Sequence, residues 1–176
     1  MRALIVGGGC RGLDLARQLA QDGHAIRVVT RSEDGRAAIE QAGAECWIGD
    51  PDRVGTLRYA LESVTLVLWL LGTASGDDAE RVGALHGSRL RMMLEKTTDT
   101  TVRGVVYEAS GTLPDEVLAQ GVEEMRHAQR TNEIPFALLT CDPRGDRAAW
   151  LGDARAAFDA LLAGPRRCVI RGSRGA

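Results

Sequence analysis

The stretch RALIVGGGCRG, residues 2–12, decides the fold of this chain, because a short apolar run ends in three consecutive glycines. Gly7, Gly9 and Gly12 have the spacing G-x-G-x-x-G, and a helical apolar pattern follows them. In a strand–turn–helix unit, Gly7 permits the sharp turn, Gly9 lets backbone approach a pyrophosphate, and Gly12 lets the helix pack against the sheet. The helix N-terminus would direct unpaired N–H groups and its positive dipole end at the phosphates. The motif therefore predicts dinucleotide binding, and the alternative is a tight turn that binds nothing.

Length and composition narrow the class of protein. The length fits one domain over residues 1–176, with residues 171–176 as a frayed tail. The formal net charge of −2 argues against the basic surface that nucleic-acid binding requires. No run of about 18 apolar residues occurs, so we expect no membrane span and a cytoplasmic protein. Neither a metal site nor a disulfide framework is expected, since no C-x-x-C pair occurs among Cys10, Cys46, Cys141 and Cys168.

Apolar segments alternate with helical patterns along the chain. Six strands are predicted, at residues 3–6, 24–30, 44–48, 65–71, 104–107 and 136–140, and a short seventh strand at 168–170 is possible. Six helices are predicted as well. The first is ended by Gly23, the second is 32–41 with Ser32 as N-cap, and the fourth is a long helix capped by Asp77 or Asp78. The others are 53–62, 115–131 and 148–162. This alternation predicts an α/β fold, a doubly wound parallel Rossmann sheet in the order 3-2-1-4-5-6. Ligands of such sheets bind where the strand order reverses, at the carboxyl ends of strands one and four.

The end of strand two bears on which nucleotide is bound. A NAD-specific fold places an acidic residue there for the ribose hydroxyls, whereas this chain has Thr30, Arg31 and Ser32. The guanidinium of Arg31 could pair with a 2′-phosphate, and Arg11 in the glycine turn could add a second positive group. The alternative is that both arginines only face water. The sequence favours NADP over NAD.

Five segments together resemble the atypical short-chain dehydrogenase/reductases, most closely the NmrA-like and extended epimerase-like members: GGGCRG (7–12), VVTR (28–31), AGAECWIGDPD (42–52), VTLVLWLL (64–71) and VRGVVYEASG (102–111). The resemblance implies that Asp50 meets the adenine amino group, although as a residue it is equally suited to cap a following helix. It implies that Leu71 and Gly72 line the adenine or pyrophosphate side, and that Ser110 is catalytic or faces the substrate. The step E-A-S-G could also orient Glu108 toward a nicotinamide.

The chain departs from this family where the chemistry is carried. The Tyr-x-x-x-Lys pair is absent, because GTLPDEVLAQGVEEMRHAQR, residues 111–130, contains neither residue type. In the family this pair supplies the proton for carbonyl reduction, and no substitute acid is evident. Residues 141–176 are also too few for the family's usual substrate-binding subdomain.

These observations lead to an NADP(H)-binding Rossmann protein whose catalytic status is open. One reading is a non-catalytic nucleotide-binding or redox-sensing regulator. The other is an NADP-dependent oxidoreductase or epimerase-like enzyme acting on a small molecule, with Ser110 or a water as proton donor. A homodimer through helices 78–97 and 115–131 is expected, as in the family. The expected cofactor contacts are Gly7, Gly9, Cys10, Arg11, Gly12, Arg31, Ser32, Asp50, Leu71 and Gly72.

Overall fold

Strands and helices alternate throughout residues 1–164, which are the residues described by this computed structural model. The strands are β1 (Arg2–Gly7), β2 (Ala25–Thr30), β3 (Glu45–Ile48), β4 (Leu66–Leu70), β5 (Gly104–Glu108) and β6 (Phe136–Leu139). The α-helices are α1 (Gly9–Gln21), α2 (Arg36–Gln41), α3 (Ala79–Ala84), α4 (Ser88–Thr97), α5 (Asp115–Asn132) and α6 (Arg147–Ala163). The predicted seventh strand and the frayed tail lie outside the described residues.

All six strands pair in parallel, in the order β3-β2-β1-β4-β5-β6. This order confirms the predicted Rossmann topology. Every residue of β4 and of β5 is buried, as expected of central strands that are covered on both faces. The strand order reverses between β1 and β4, which places the crevice for a ligand at the carboxyl ends of these two strands.

Alternate residues of each strand feed two separate apolar cores. Ala3 and Ile5 of β1 face the core beneath α1 and α6, which contains Trp150 and Phe158. Leu4 and Val6 face the core beneath α4 and α5, which contains Trp69, Tyr107, Met93 and Met125. This alternation follows from the two-residue period of a strand. The two cores fix the sheet and therefore the loops at its carboxyl edge.

The helix predicted at 53–62 is instead two 3₁₀ turns, Val54–Leu57 and Tyr59–Leu61. Thr56 explains the difference, because its hydroxyl donates to the carbonyl of Arg53 at 2.8 Å. The carbonyl of Thr56 accepts from the indole N–H of Trp47 at 3.0 Å rather than from a helical N–H group. Side chains that satisfy backbone groups locally compete with the α-helix in this way.

The long helix predicted after Asp77 or Asp78 is broken into α3 and α4. Asp78 is the N-cap, since its carboxylate accepts from the N–H groups of Glu80 and Arg81. The break falls at Gly87, whose backbone is not helical (φ −116°, ψ −105°). A Cβ on Gly87 would lie 2.6 Å from the side-chain nitrogen of Gln120 on α5, so a larger residue there would have to displace that side chain.

Ser32 does not cap a helix as predicted. Its backbone is extended, but its hydroxyl donates to the carboxylate of Asp34 and not to a helical N–H group. A 3₁₀ turn, Glu33–Gly35, follows Ser32, and α2 begins only at Arg36. Gly23 ends α1 as predicted, with a φ of 85° and its N–H donating to Ala20.

Candidate functional site

An open cavity of about 680 Å³ lies at the carboxyl ends of β1, β2, β3 and β4. Its walls are the β1–α1 turn, the end of β2, the loop after β3, and the segment from Leu70 to Leu85. Among residues 1–164, none after Leu85 lines this cavity. Its volume falls in the range of small-molecule and cofactor sites, about 300–1,000 Å³.

The glycine turn between β1 and α1 forms one wall of the cavity. Gly7, Gly8 and Gly9 have φ values of 87°, 80° and 50°, a region that side chains disfavour. A Cβ on Gly7 would lie 2.3 Å from the carbonyl oxygen of Leu70, and the N–H of Gly8 donates to the same oxygen at 2.6 Å. Gly9, by contrast, has no atom within 4 Å of a Cβ and opens onto the cavity.

The N-terminus of α1 has donors without acceptors. Among residues 1–164, no hydrogen-bond acceptor is found for the N–H groups of Gly9, Cys10 and Arg11. The first turn of α1 contains no acidic side chain. Gly12 lies behind this turn, where a Cβ would be 2.7 Å from the carbonyl oxygen of Gly7. Such an end attracts anions through its free donors and its dipole.

Arg31, at the end of β2, lines the cavity with an exposed side chain. Within the part of the chain that is described, no carboxylate pairs with its guanidinium. Neighbouring Arg36 differs, because it is paired with Glu33 and Glu40. Ser32 does not line the cavity.

The loop after β3 contributes two carboxylates to the cavity. Asp50 lines it, and its Oδ1 accepts from the N–H of Asp52 at 3.0 Å. Because no α-helix follows Pro51, the alternative role of Asp50 as a helix cap is wrong. Asp52 pairs with Arg81 and Arg89, whose guanidinium groups hold the pKa of its carboxyl below the usual range. This pairing joins the loop after β3 to α3 and α4.

Glu108, at the end of β5, is fully buried and does not line the cavity. Its Oε2 accepts from the N–H of Gly72 at 2.8 Å, and its Oε1 accepts from the indole N–H of Trp150 at 3.0 Å. Burial raises the pKa of the Glu108 carboxyl, while these two donors lower it in part. Glu108 therefore faces the loop after β4 and α6. The sequence signal was a glutamate ending an otherwise apolar strand.

Arg11 and Ser110 lie away from the cavity. The guanidinium of Arg11 donates to the hydroxyl of Thr73 at 3.2 Å and lies 5.4 Å from the ring centre of Trp150. Ser110 is half-buried, and its carbonyl oxygen would be 2.2 Å from a Cβ on Gly72. The cavity thus brings together six of the expected residues: Gly7, Gly9, Cys10, Arg31, Asp50 and Leu71. It does not include Arg11, Gly12, Ser32, Gly72 or Ser110.

A buried histidine supports the cavity wall, and sequence reasoning did not identify it. The Nδ1 of His86 lies 2.6 Å from the hydroxyl of Tyr107, and its Nε2 lies 3.2 Å from the carbonyl oxygen of Leu71. The hydroxyl oxygen of Tyr107 also lies 3.2 Å from the carbonyl oxygen of Leu118. Burial lowers the pKa of His86 to about 4, so the ring is neutral near pH 7. The side chain of His86 points inward because the residue lies in the break between α3 and α4.

Two further site classes can be assessed over residues 1–164. These residues contain no group of three histidine, cysteine or acidic side chains that could hold a metal ion. None of their helices is both long enough and apolar enough to span a bilayer.

Solved structures with this fold include several nucleotide-dependent enzymes. A short-chain dehydrogenase/reductase superfamily protein from Agrobacterium tumefaciens with bound NAD is 19% identical, with a TM-score of 0.65 over 94% of this chain and 63% of that one. The UDP-glucuronic acid 4-epimerase from Bacillus cereus in complex with NAD is 14% identical, with a TM-score of 0.63 over 78% and 54%. The triphenylmethane reductase from Citrobacter sp. complexed with NADP(H) is 20% identical, with a TM-score of 0.57 over 79% and 48%.

These comparisons confirm the fold expected from the sequence resemblance, the Rossmann fold of short-chain dehydrogenase/reductases and extended epimerases. No protein-family model and no curated protein sequence matches the chain. The chain spans about half the length of the epimerase and reductase structures that it matches.

Proposed function

We propose that this chain binds NADP(H) in the cavity at the ends of β1 to β4. The observation that carries the proposal is the α1 N-terminus, where Gly9 and Cys10, with free N–H groups, line the cavity together with the unpaired guanidinium of Arg31. Both features suit phosphate groups, one through backbone donors and the other through a planar, charged fork. Proteins that share the fold are recorded with NAD or NADP(H) bound, which supports a nicotinamide dinucleotide as the ligand.

Each expected contact has a distinct task in this proposal. The N–H groups of Gly9 and Cys10 hold the diphosphate, and Arg31 holds the ribose and its 2′-phosphate. Ser32, which lies outside the cavity, acts only through its position next to Arg31. Asp50 accepts from the adenine amino group, and Leu71 packs on the adenine ring. Gly7, Gly12 and Gly72 act by close packing, and Arg11 acts as a positive charge behind the turn. When bound, the nicotinamide ring would supply hydride transfer.

A non-catalytic regulator is the function that we favour. Residues 111–130 lack the Tyr and Lys of the related enzymes, and Ser110 lies outside the cavity. In this role, nucleotide occupancy changes how a partner is recognised.

The alternative is an NADP-dependent oxidoreductase or epimerase-like enzyme with a small-molecule substrate and Ser110 or a water as proton donor. The structural likeness to epimerases and a reductase favours this alternative. The cytoplasmic location belongs to the same proposal.

Titration with both nucleotides tests the proposal. NADPH should raise the melting temperature more than NADH at equal concentration, because a ligand that binds only the folded state stabilises it. At about 100 times the Kd, the gain in unfolding free energy is about 2.7 kcal/mol. Equal shifts with the two nucleotides would remove the NADP preference, and no shift with either would reject nucleotide binding.

Arg31→Asp tests the residue that should select NADP. We expect NADPH affinity to fall by about 10- to 100-fold, because a charge-assisted contact is replaced by repulsion. NADH affinity should hold or improve, because a carboxylate can accept from ribose hydroxyls. Calorimetric titration measures both. Arg103→Ala is the matched control, since Arg103 is an exposed arginine just before β5, at the opposite edge of the sheet. Unchanged selectivity in Arg31→Asp would locate the selecting group elsewhere.

A further inference from the structure

The cavity covers only one half of the crevice that a dinucleotide would occupy. Its lining residues lie between Val6 and Leu85, so β5, β6 and the loops after them contribute nothing. In a doubly wound sheet, a dinucleotide crosses the point where the strand order reverses and uses both halves of the sheet. The open half here is the one formed by β1, β2 and β3 together with the end of β4.

The loops after β4 and β5 are in backbone contact. The N–H of Thr112 donates to the carbonyl oxygen of Gly72 at 2.9 Å. A Cβ on Gly111 would lie 1.8 Å from that same oxygen, so the two glycines meet at a distance that no side chain allows. The N–H of Gly72 is bonded to Glu108 on the other side. This contact leaves no gap between the two loops for an aromatic ring.

Side chains fill the space next to these loops. The indole of Trp150 is fully buried and donates to Glu108. Arg11 extends from the first turn of α1 to the ring of Trp150 and is bonded to Thr73. A ring entering beside β5 would have to displace Arg11 and break the buried hydrogen bond between Trp150 and Glu108.

The end of β6 also has its backbone donors occupied. The N–H groups of Thr140 and Cys141 both donate to a carboxylate oxygen of Asp153, at 3.2 Å and 3.0 Å. Free N–H groups at this position would suit the carboxamide of a nicotinamide, but here both already donate to Asp153 of α6. The end of β6 therefore offers neither space nor these donors to a nicotinamide.

The open half has the chemistry of an adenosine phosphate site. Apolar side chains, among them Ile39, Leu71 and Leu85, offer surface to a flat ring. Free N–H groups and Arg31 offer positive charge to phosphates. We propose that this site recognises an adenosine diphosphate that carries a further ribose phosphate, and that the nicotinamide half of a bound dinucleotide remains in solvent. This inference rests on the proposed function and narrows it.

The inference has a direct consequence for regulation. If the nicotinamide ring makes no contact, NADP⁺ and NADPH bind with the same affinity. A ligand shifts an equilibrium only through a difference in binding free energy, so equal affinities exclude sensing of the redox state. The protein then responds to the amount of nucleotide and not to its oxidation.

Calorimetric titration of the whole chain with nucleotide fragments tests this. The ligands are NADP⁺, NADPH, ADP-ribose 2′-phosphate and nicotinamide mononucleotide. We expect the first three to agree in Kd within about threefold, and nicotinamide mononucleotide to give no heat at about 100 times that Kd. An ADP-ribose 2′-phosphate that binds more than about tenfold weaker than NADPH overturns the inference. So does a tenfold difference between NADP⁺ and NADPH, or binding of the mononucleotide.

The fragments also separate this inference from the proposed function. If NADP(H) binds and ADP-ribose 2′-phosphate does not, the proposed function stands and the inference is wrong. If ADP-ribose 2′-phosphate binds and NADP(H) does not, both are wrong, because the inference requires the dinucleotides to bind as tightly as the fragment. If none binds, both are wrong.

Fluorescence of the reduced ring gives an independent measurement. NADPH bound as proposed should gain fluorescence anisotropy but keep the emission maximum that it has in buffer, because its ring stays in water. A blue-shifted maximum would show that the ring enters an apolar environment, and it would overturn the inference.

Discussion

Glu108 shows how one buried carboxyl group organises the carboxyl edge of the sheet. It receives one hydrogen bond from the loop after β4 and one from α6. These donors partly offset the cost of removing the carboxylate from water, and they hold Gly72 and Trp150 in fixed positions. A carboxyl group with this environment binds a proton more tightly in the folded state than in the unfolded state.

Glu108→Gln should remove a pH-dependent part of the stability. The pKa of Glu108 is raised in the folded state above its ordinary value of about 4.3. The folded state therefore binds more protons between these two pKa values, and wild-type stability falls as pH rises through that interval. Wild type should be most stable relative to Glu108→Gln below about pH 4, where the carboxyl is protonated in both states. This difference in stability should then decrease as the pH rises above the ordinary pKa. Urea unfolding at a series of pH values measures it. A difference that grows with pH would contradict this.

At the residue scale, the sequence predicted local conformation better than side-chain contacts. The turn at Gly7 and Gly9 follows from spacing alone, because only glycine tolerates the required φ. The partners of Glu108 and His86 do not follow, because they come from segments 15 to 42 residues away in the chain. The position of Arg11 does not follow either. It was expected at the phosphates, but its distant partners Thr73 and Trp150 hold it elsewhere.

Helix α5 packs on β5 through a glycine. A Cβ on Gly121 would lie 1.9 Å from the hydroxyl oxygen of Tyr107. That hydroxyl is bonded to Leu118 and lies against His86, so it is fixed on both sides. The absence of a side chain at Gly121 is what allows the helix to approach the strand.

Gly121→Ala should destabilise the protein by about 1–3 kcal/mol, because overpacking outweighs a gain in helix propensity of about 1 kcal/mol. The matched control is Gly152→Ala in α6, where a Cβ would meet no atom within 4 Å. We expect this control to stabilise the protein by about 0.5–1 kcal/mol. Urea unfolding measures both variants, and equal stabilities would show that α5 can move away from Tyr107 at no cost.

At the element scale, strands were predicted more accurately than helices. Apolar runs such as 65–71 identify buried strands directly, and all six strands lie within two residues of their predicted bounds. The segment 53–62 has apolar residues suited to a helix, but Thr56 and Trp47 satisfy its backbone groups locally. Likewise, helical spacing continues through Gly87, but the backbone of Gly87 is not helical and the helix is divided there.

At the scale of the whole molecule, the expected homodimer stays a prediction. The segments expected at its interface, 78–97 and 115–131, contain α3, α4 and α5. Helices α4 and α5 pack together, and Arg91 pairs with the buried Glu124 between them. Met92 on α4 is a large apolar side chain that is 41% exposed. A partner on this face would cover it.

Met92→Glu should weaken the dimer by about tenfold or more, because a buried charge without a partner is costly. Size-exclusion chromatography with light scattering, at several protein concentrations, measures the effect. Leu162→Glu is the matched control, since Leu162 on α6 is 38% exposed and lies outside the expected interface. A monomeric wild type, or two variants that behave alike, would remove this interface.

The pairing of Asp52 with Arg81 also decides how charge is distributed around the cavity. It joins the loop after β3, which carries Asp50, to α3, which directly follows Asp77 and Asp78, while the free N–H groups of α1 and Arg31 lie at the ends of β1 and β2. The rim therefore has an electrical polarity. If a nucleotide binds as proposed, this polarity exerts a torque on it that turns its phosphates toward the strands before any contact forms. Orientation is thereby selected during the encounter, ahead of docking.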